Sequence, residues 1–239
     1  MIQFYSPDIT STLTLPESDS AHATRVLRLR EGDEIQVIDG RGTAYTCRIV
    51  APHQRHTTVE IIASESMPLP WKQELVLAVA PTKHIDRMEW LVEKAVEVGV
   101  NRIIPILCRH SERKEIKTER LEKIAVAAMK QSLKAVAPVI DPMTPVDRII
   151  SDFASHQRFI AYCDRTIPRR LLACEYRAST STVIMIGPEG DFSPEEIRTA
   201  LDTGWLPVSL GPCRLRTETA ALTAIETFHI LDQASTCTQ

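Results

Sequence analysis

The sequence predicts an α/β protein: a small β-rich N-terminal domain followed by a larger domain built on a mostly parallel sheet. Three observations predict it. Residues 1–68 carry short β-prone runs separated by turn residues. From residue 75 onward, apolar runs of strand length alternate with stretches of helical period. Two of those later strands end in Gly-Pro and lead directly into a helix.

In the N-terminal part, Glu34 to Asp39, Ala44 to Val50 and Thr57 to Ala63 read as strands, with Asp39-Gly40-Arg41-Gly42 as a hairpin turn. Ahead of them, the spacing of His22 to Arg30 turns Val26 and Leu29 inward and Arg25, Arg28 and Arg30 outward or sideways. Met67-Pro68-Leu69-Pro70 is the expected linker between a domain of residues 1–68 and one of 69–239, because its prolines resist both helix and ladder. Leu75 to Ala80 is continuously apolar, as in a strand covered on both faces. Ile85, Met88, Leu91, Val92, Ala95 and Val96 then recur at helical spacing, and Gly99 supplies the C-cap. Arg102 to Cys108 is the next strand, where Pro105 implies a bulge or an unpaired side. Thr118 is placed to cap a long helix ending before Pro138, Arg158 to Cys163 is another strand, and Arg169 to Tyr176 a short helix. No hairpin joins these strands, which argues for a parallel arrangement.

The two Gly-Pro turns carry the functional signal. Val183 to Ile186 stops at Gly187-Pro188-Glu189-Gly190-Asp191-Phe192, and Ser193-Pro194-Glu195-Glu196 opens a helix as a capping box with proline at its first position. About twenty residues on, Leu206, Val208 and Leu210 run into Gly211-Pro212 and then into an Arg/Thr/Glu cluster that starts an amphipathic helix. Side by side at one sheet edge, such turns form the place where open α/β sheets bind ligands. No Gly-x-Gly-x-x-Gly follows an early strand and no Gly-x-x-x-x-Gly-Lys occurs, so the dinucleotide and triphosphate cradles are missing.

At 239 residues and 44% hydrophobic content, the chain has enough apolar material for a core in each domain. No apolar run approaches membrane-spanning length, and the N-terminus lacks the basic start and apolar middle of a signal peptide, so a soluble cytoplasmic protein is expected. The six cysteines have no C-x-x-C pairing. Cys47, Cys108 and Cys163 fall in strand-like runs and read as small core residues in a reducing compartment, with no metal site. Net charge is −3, but residues 102–134 hold nine Lys/Arg against four Glu, either a solvated face or a nucleic-acid contact.

Ile186 to Ser193 followed by Leu210 to Ala220 resembles the RsmE family of ribosomal RNA uridine methyltransferases, of the SPOUT class. The resemblance extends to His22-x-x-x-Val26-Leu27-Arg28, Gly32-Asp33, Asp39-Gly40-x-Gly42, Lys83, Glu97 to Val100, Arg109-His110-Ser111 and Lys130-Gln131-Ser132. It implies a PUA-like β-barrel joined to a SPOUT domain with a trefoil knot, S-adenosyl-L-methionine as methyl donor, and methylation of N3 of a uridine in 16S ribosomal RNA or the 30S subunit, by a homodimer. Carried onto this chain, donor contacts fall on Tyr162, Ile186, Gly187, Glu189, Gly190, Leu210, Gly211, Leu215, Arg216, Thr219 and Ala220. RNA contacts fall on Arg25, Arg28, Arg41, Arg109, Ser111, Gln131 and Ser132. Arg216 is the expected electrostatic catalyst, Glu218 its orienting partner, a base or a helix-terminal stabiliser, and Glu189 a contact to the substrate ribose or base edge. Two other readings stand beside this one: a SPOUT enzyme acting on another RNA, and a non-catalytic RNA-binding factor. The chain departs from the family pattern in Cys213-Arg214 within the usual Gly-x-Arg-Ile-Leu-Arg, in Asp191 for the second glycine of a Gly-Gly pair, and in Val96 for a common threonine.

Overall fold

In the computed structural model, which describes residues 2–164 and 167–237, alternating apolar residues near the N-terminus build a four-stranded sheet. Its strands are β1 (Gln3–Tyr5), β2 (Glu34–Ile38), β3 (Thr43–Ala51) and β4 (Thr58–Ser66), in that order, with β1 parallel to β2 and the other pairs antiparallel. Ile35 and Val37 alternate inward and meet Cys47, Ile49 and Val59 from the neighbouring strands, together with Phe4, Ile9 and Leu15. The β2–β3 hairpin is closed by Asp39, whose Oδ1 accepts from Arg41 N at 2.7 Å and Thr43 N at 3.1 Å. Gly40 and Gly42 both adopt positive φ there, as such turns demand.

Two short helices, α1 (Ile9–Thr12) and α2 (Glu17–Ala21), precede the hairpin, and α2 runs on into a π-helical turn over His22–Val26. That turn corrects one sequence expectation. Val26 is 67% exposed, whereas Leu27 and Leu29 pack on the core, because a wider turn rotates each side chain off the 3.6-residue period. This first unit comprises Met1–Pro70 together with Val126–Ala137. The later stretch is tied in by backbone bonds from Gly42 N to Ala135 O and Ala137 N to Gly40 O, both 2.9 Å, and by the Lys130–Asp19 ion pair at 2.7 Å.

The second unit comprises Trp71–Ala125 and Pro138–Gln239. Its chain order is β5 (Leu75–Val79), α3 (Ile85–Val98), β6 (Arg102–Leu107), α4 (Thr118–Gln131, which ends in the first unit), β7 (Val139–Ile140), β8 (Thr144–Pro145), α5 (Val146–Ser151), β9 (Gln157–Ala161), β10 (Arg170–Leu171), α6 (Leu172–Glu175), β11 (Thr182–Ile186), α7 (Pro194–Asp202), β12 (Leu206–Ser209) and α8 (Thr217–Thr236). The sheet order is β10-β12-β9-β11-β5-β6-β7, with β8 also beside β6, and every recorded pair is parallel. The central strands β5 and β11 are buried along their whole length, as their unbroken apolar runs require. One face packs α5 and α7 through Ile149, Ile150, Ile197 and Trp205, and on the other α8 lies on β5 and β11 beside α3.

Gly99 ends α3 at φ 131°, as its position predicted. Pro105 sits where β6 changes its outer neighbour, Arg102 and Ile103 pairing with β7 and Ile106 and Leu107 with β8, so the proline falls in the gap. Thr118 is the first helical residue of α4, and the stretch expected as a helix over Arg169–Tyr176 starts with Arg170 and Leu171 paired to Val208 and Ser209, leaving only Leu172–Glu175 helical. Cys47 and Cys108 are buried, and burial pushes both thiols up, that of Cys47 to about 11. Cys163 is exposed because β9 ends at Ala161, two residues before it. No helix among the described residues is long and apolar enough to cross a membrane, and none of these residues group as three or more metal-binding side chains.

Candidate active site

The parallel register sets Ala161 of β9, Ile186 of β11 and Val208 of β12 level with one another. All three strands deliver their C-terminal ends to one place. A crevice of about 1180 Å³ opens there, walled by the chain after β9, the β11–α7 turn and the β12–α8 turn. This is the ligand position that open parallel sheets share.

The β11–α7 turn is densely tied. Asp191 N donates to Pro188 O at 2.9 Å, and Asp191 itself sits at φ 63°, a conformation that Asp tolerates better than most side chains. Its Oδ2 accepts from Cys163 N at 2.8 Å and its Oδ1 from Phe192 N at 2.9 Å. A Cβ on Gly187 would lie 3.0 Å from the Phe192 ring, and one on Gly190 3.0 Å from the His110 Cβ, so any larger residue would press on these neighbours. Glu189 Oε1 accepts from Lys83 N at 2.9 Å, which ties in the turn after β5. The capping box is present: Ser193 Oγ accepts from Glu196 N at 3.2 Å and Glu196 Oε2 from Ser193 N at 2.7 Å, while Glu196 Oε1 takes Arg109 N at 2.8 Å.

The β12–α8 turn is open by contrast. Gly211 adopts φ 127° with nothing within 4 Å of where a Cβ would stand, and Pro212, Cys213 and Arg214 are exposed. Arg216 is the N-cap residue of α8, in extended conformation, and its side chain makes no capping bond. The joint between the two turns is Thr217, whose Oγ1 donates to Gly187 O at 3.1 Å.

Of the residues expected to hold a donor, Tyr162, Ile186, Gly187, Glu189 and Gly190 line the crevice from one side and Leu210, Gly211, Leu215, Arg216 and Ala220 from the other. Thr219 is exposed and Glu218 buried, and neither lines it. The ion-pair partner of Glu218 is Arg87, on the first turn of α3, at 3.7 Å. Arg87, Arg169 and Thr217 are crevice residues that the sequence reading did not single out. Arg169 lies 5.2 Å from the centre of the Tyr162 ring and donates to Tyr162 O. Burial pushes the Tyr162 hydroxyl up, the Arg169 charge opposing it, and that hydroxyl is buried with no hydrogen-bond partner among the described residues. A threonine opening a helix directly after an Arg was the one available signal for Thr217; Arg87 and Arg169 had none, because their neighbours come from distant sequence.

The residues expected to touch RNA divide between the units. In the first, Arg25, Arg28, Arg41 and Gln131 are exposed, Arg25 donating to Gln54, while the Ser132 hydroxyl donates to Ala128 O at 2.7 Å and accepts from Lys134 at 2.9 Å. In the second, Arg109 is exposed near Glu195, at 3.8 Å, and Ser111 is buried with its hydroxyl accepting from Cys108 N at 3.0 Å.

Residues 69–229 match a family model described as an RNA methyltransferase domain, and residues 15–62 match an RNA methyltransferase PUA domain. The chain is 28% identical over 226 residues to the ribosomal RNA small subunit methyltransferase E of Aquifex aeolicus, covering 93% of this chain and 96% of the relative. Among solved structures, a probable rRNA-methyltransferase from Porphyromonas gingivalis is similar at 43% identity and TM-score 0.94, covering 98% of this chain and 100% of that one. A ribosomal RNA small subunit methyltransferase E from Neisseria gonorrhoeae, solved bound to S-adenosyl methionine, is similar at 27% identity and TM-score 0.85, covering 97% and 98%.

Proposed function

Because the chain belongs to the RNA methyltransferase family that includes the small subunit methyltransferases E, we propose that it transfers a methyl group from S-adenosyl-L-methionine to N3 of a uridine in 16S ribosomal RNA. The observation that carries this reading is the Thr217–Gly187 joint, which closes both Gly-Pro turns around one crevice. The residues there suit such a ligand. Gly187 and Gly190 present backbone where a side chain would be tight against its neighbours, and Tyr162 has a buried hydroxyl without a partner among the described residues. When bound, the donor supplies an electrophilic methyl group on a sulfonium.

The uracil imide loses its proton about two pH units above neutrality, so forming the nucleophile costs about 3 kcal/mol unless the site helps. Arg216, on the crevice wall and unused as a cap, is the group that stabilises the developing anion or fixes the neighbouring phosphate. Glu218, buried against Arg87, holds the first turn of α8 to α3, and Glu189 offers its second oxygen to the substrate ribose or base edge. Holding nucleophile and methyl in line supplies much of the remaining acceleration. RNA is gripped by Arg25, Arg28 and Arg41 on a PUA-like domain of residues 1–68 and by Arg109 on the methyltransferase domain of residues 69–239, with Gln131 as a polar contact. Charge reversal at Arg25 and Arg28 will weaken binding and flatten its salt dependence. The family's knot, a homodimer and a cytoplasmic location complete the reading.

The decisive experiment transfers a labelled methyl group to 30S particles and identifies the labelled nucleoside after digestion. Label in 3-methyluridine is expected. Label in another nucleoside would redirect the specificity, and no transfer together with no donor binding by titration calorimetry would leave an RNA-binding factor.

A further inference from the structure

Asp191 is where this chain departs from the glycine pair that the family resemblance implies, and the departure has a structural counterpart. An aspartate at φ 63° holds an unfavourable backbone conformation, yet its two oxygens each take a backbone N–H, one from Cys163 beyond β9 and one from Phe192. Glycine would adopt that φ more easily but leave the Cys163 N–H without this partner. The carboxylate is thereby fixed on the wall of a crevice whose lining also includes Arg87, Arg169, Arg214 and Arg216. Its charge is felt there, since it adds to the upward push on the Tyr162 hydroxyl.

We propose that Asp191 is a specificity-determining residue that favours a cationic ligand over its neutral counterpart in this crevice. The inference rests on the methyl-donor reading and deepens it. In methyl transfer the carbon–sulfur bond breaks with its electron pair remaining on sulfur, the methyl bonds to the uracil nitrogen, whose imide proton leaves to solvent, and the sulfonium becomes an uncharged thioether. A fixed carboxylate attracts the donor and loses that attraction once transfer has occurred, so it sharpens exchange of spent product for fresh donor.

The test measures binding of S-adenosyl-L-methionine, S-adenosylhomocysteine and sinefungin, which carries an amine on the carbon that replaces the sulfonium, by titration calorimetry. The ratio of product to donor dissociation constants is expected to fall about tenfold in Asp191→Asn, with sinefungin following the donor. Asp191→Gly, which suits the backbone, should show the same fall in ratio with weaker binding of all three ligands, because both side-chain ties are lost where asparagine keeps one. Equal loss for charged and neutral ligands in both variants, or no loss, would overturn the proposal. A wild-type protein that binds none of the three would overturn the methyl-donor reading itself.

Discussion

The two Gly-Pro turns look alike in sequence and differ in construction. The β11–α7 turn is braced from every side, by Asp191 on Cys163, Glu189 on Lys83, His110 against Gly190 and a full capping box. The β12–α8 turn has no such bracing around Gly211 among the described residues, leaves Pro212 to Arg214 in solvent, and meets its neighbour through the Thr217 hydroxyl. The same dipeptide therefore serves two ends: one turn is a densely tied wall, and the other an exposed arm that carries Arg214 and Arg216. Preorganisation of the wall favours ligand binding.

The contrast can be broken in four places. Arg216→Ala, on the arm, is expected to lower kcat by about 10²–10³-fold in the methyl-transfer assay while donor affinity falls far less; near-wild-type turnover would remove the arm from the chemistry. Gly190→Ala forces a Cβ to 3.0 Å from His110, and overpacking of about 1–3 kcal/mol should appear as weaker donor binding by calorimetry together with a lower Tm. Gly211→Ala has room for its Cβ but must hold φ 127°, so about 1 kcal/mol of strain should raise the KM for RNA more than the donor Kd. If this variant harms donor binding more than Gly190→Ala does, the two turns have been assigned the wrong way round. Thr217→Val removes one hydrogen bond, about 1 kcal/mol, and should weaken donor binding several-fold by loosening the joint.

Much of this architecture was readable before any coordinates, and the reason is local chemistry. Ser193-Pro194-Glu195-Glu196 starts a helix because its own atoms satisfy one another, and Gly99 ends one because few other residues accept its φ. Pro105 could be placed at a gap in pairing because it lacks an N–H. What stayed hidden depended on distant neighbours or on a change of period. Val26 was turned inward on a helical repeat that the π-helical turn does not follow. Cys163 reads as a strand residue, but β9 stops at Ala161 and the Cys163 N–H goes to Asp191. Within the crevice, the glycines and Arg216 were legible from their motifs, whereas Arg87 is brought there only by the packing of α3 on α8.

The unbroken pairing of β9, β11 and β5 has a further consequence. Thr182, Gln157 and Leu75 stand level at one end of these strands and Ile186, Ala161 and Val79 at the other, with no bulge between. One residue inserted into β11 would push Gly187 forward by about 3.3 Å and swap which side each following residue faces. Strand length in β11 is thus under as tight a constraint as residue identity.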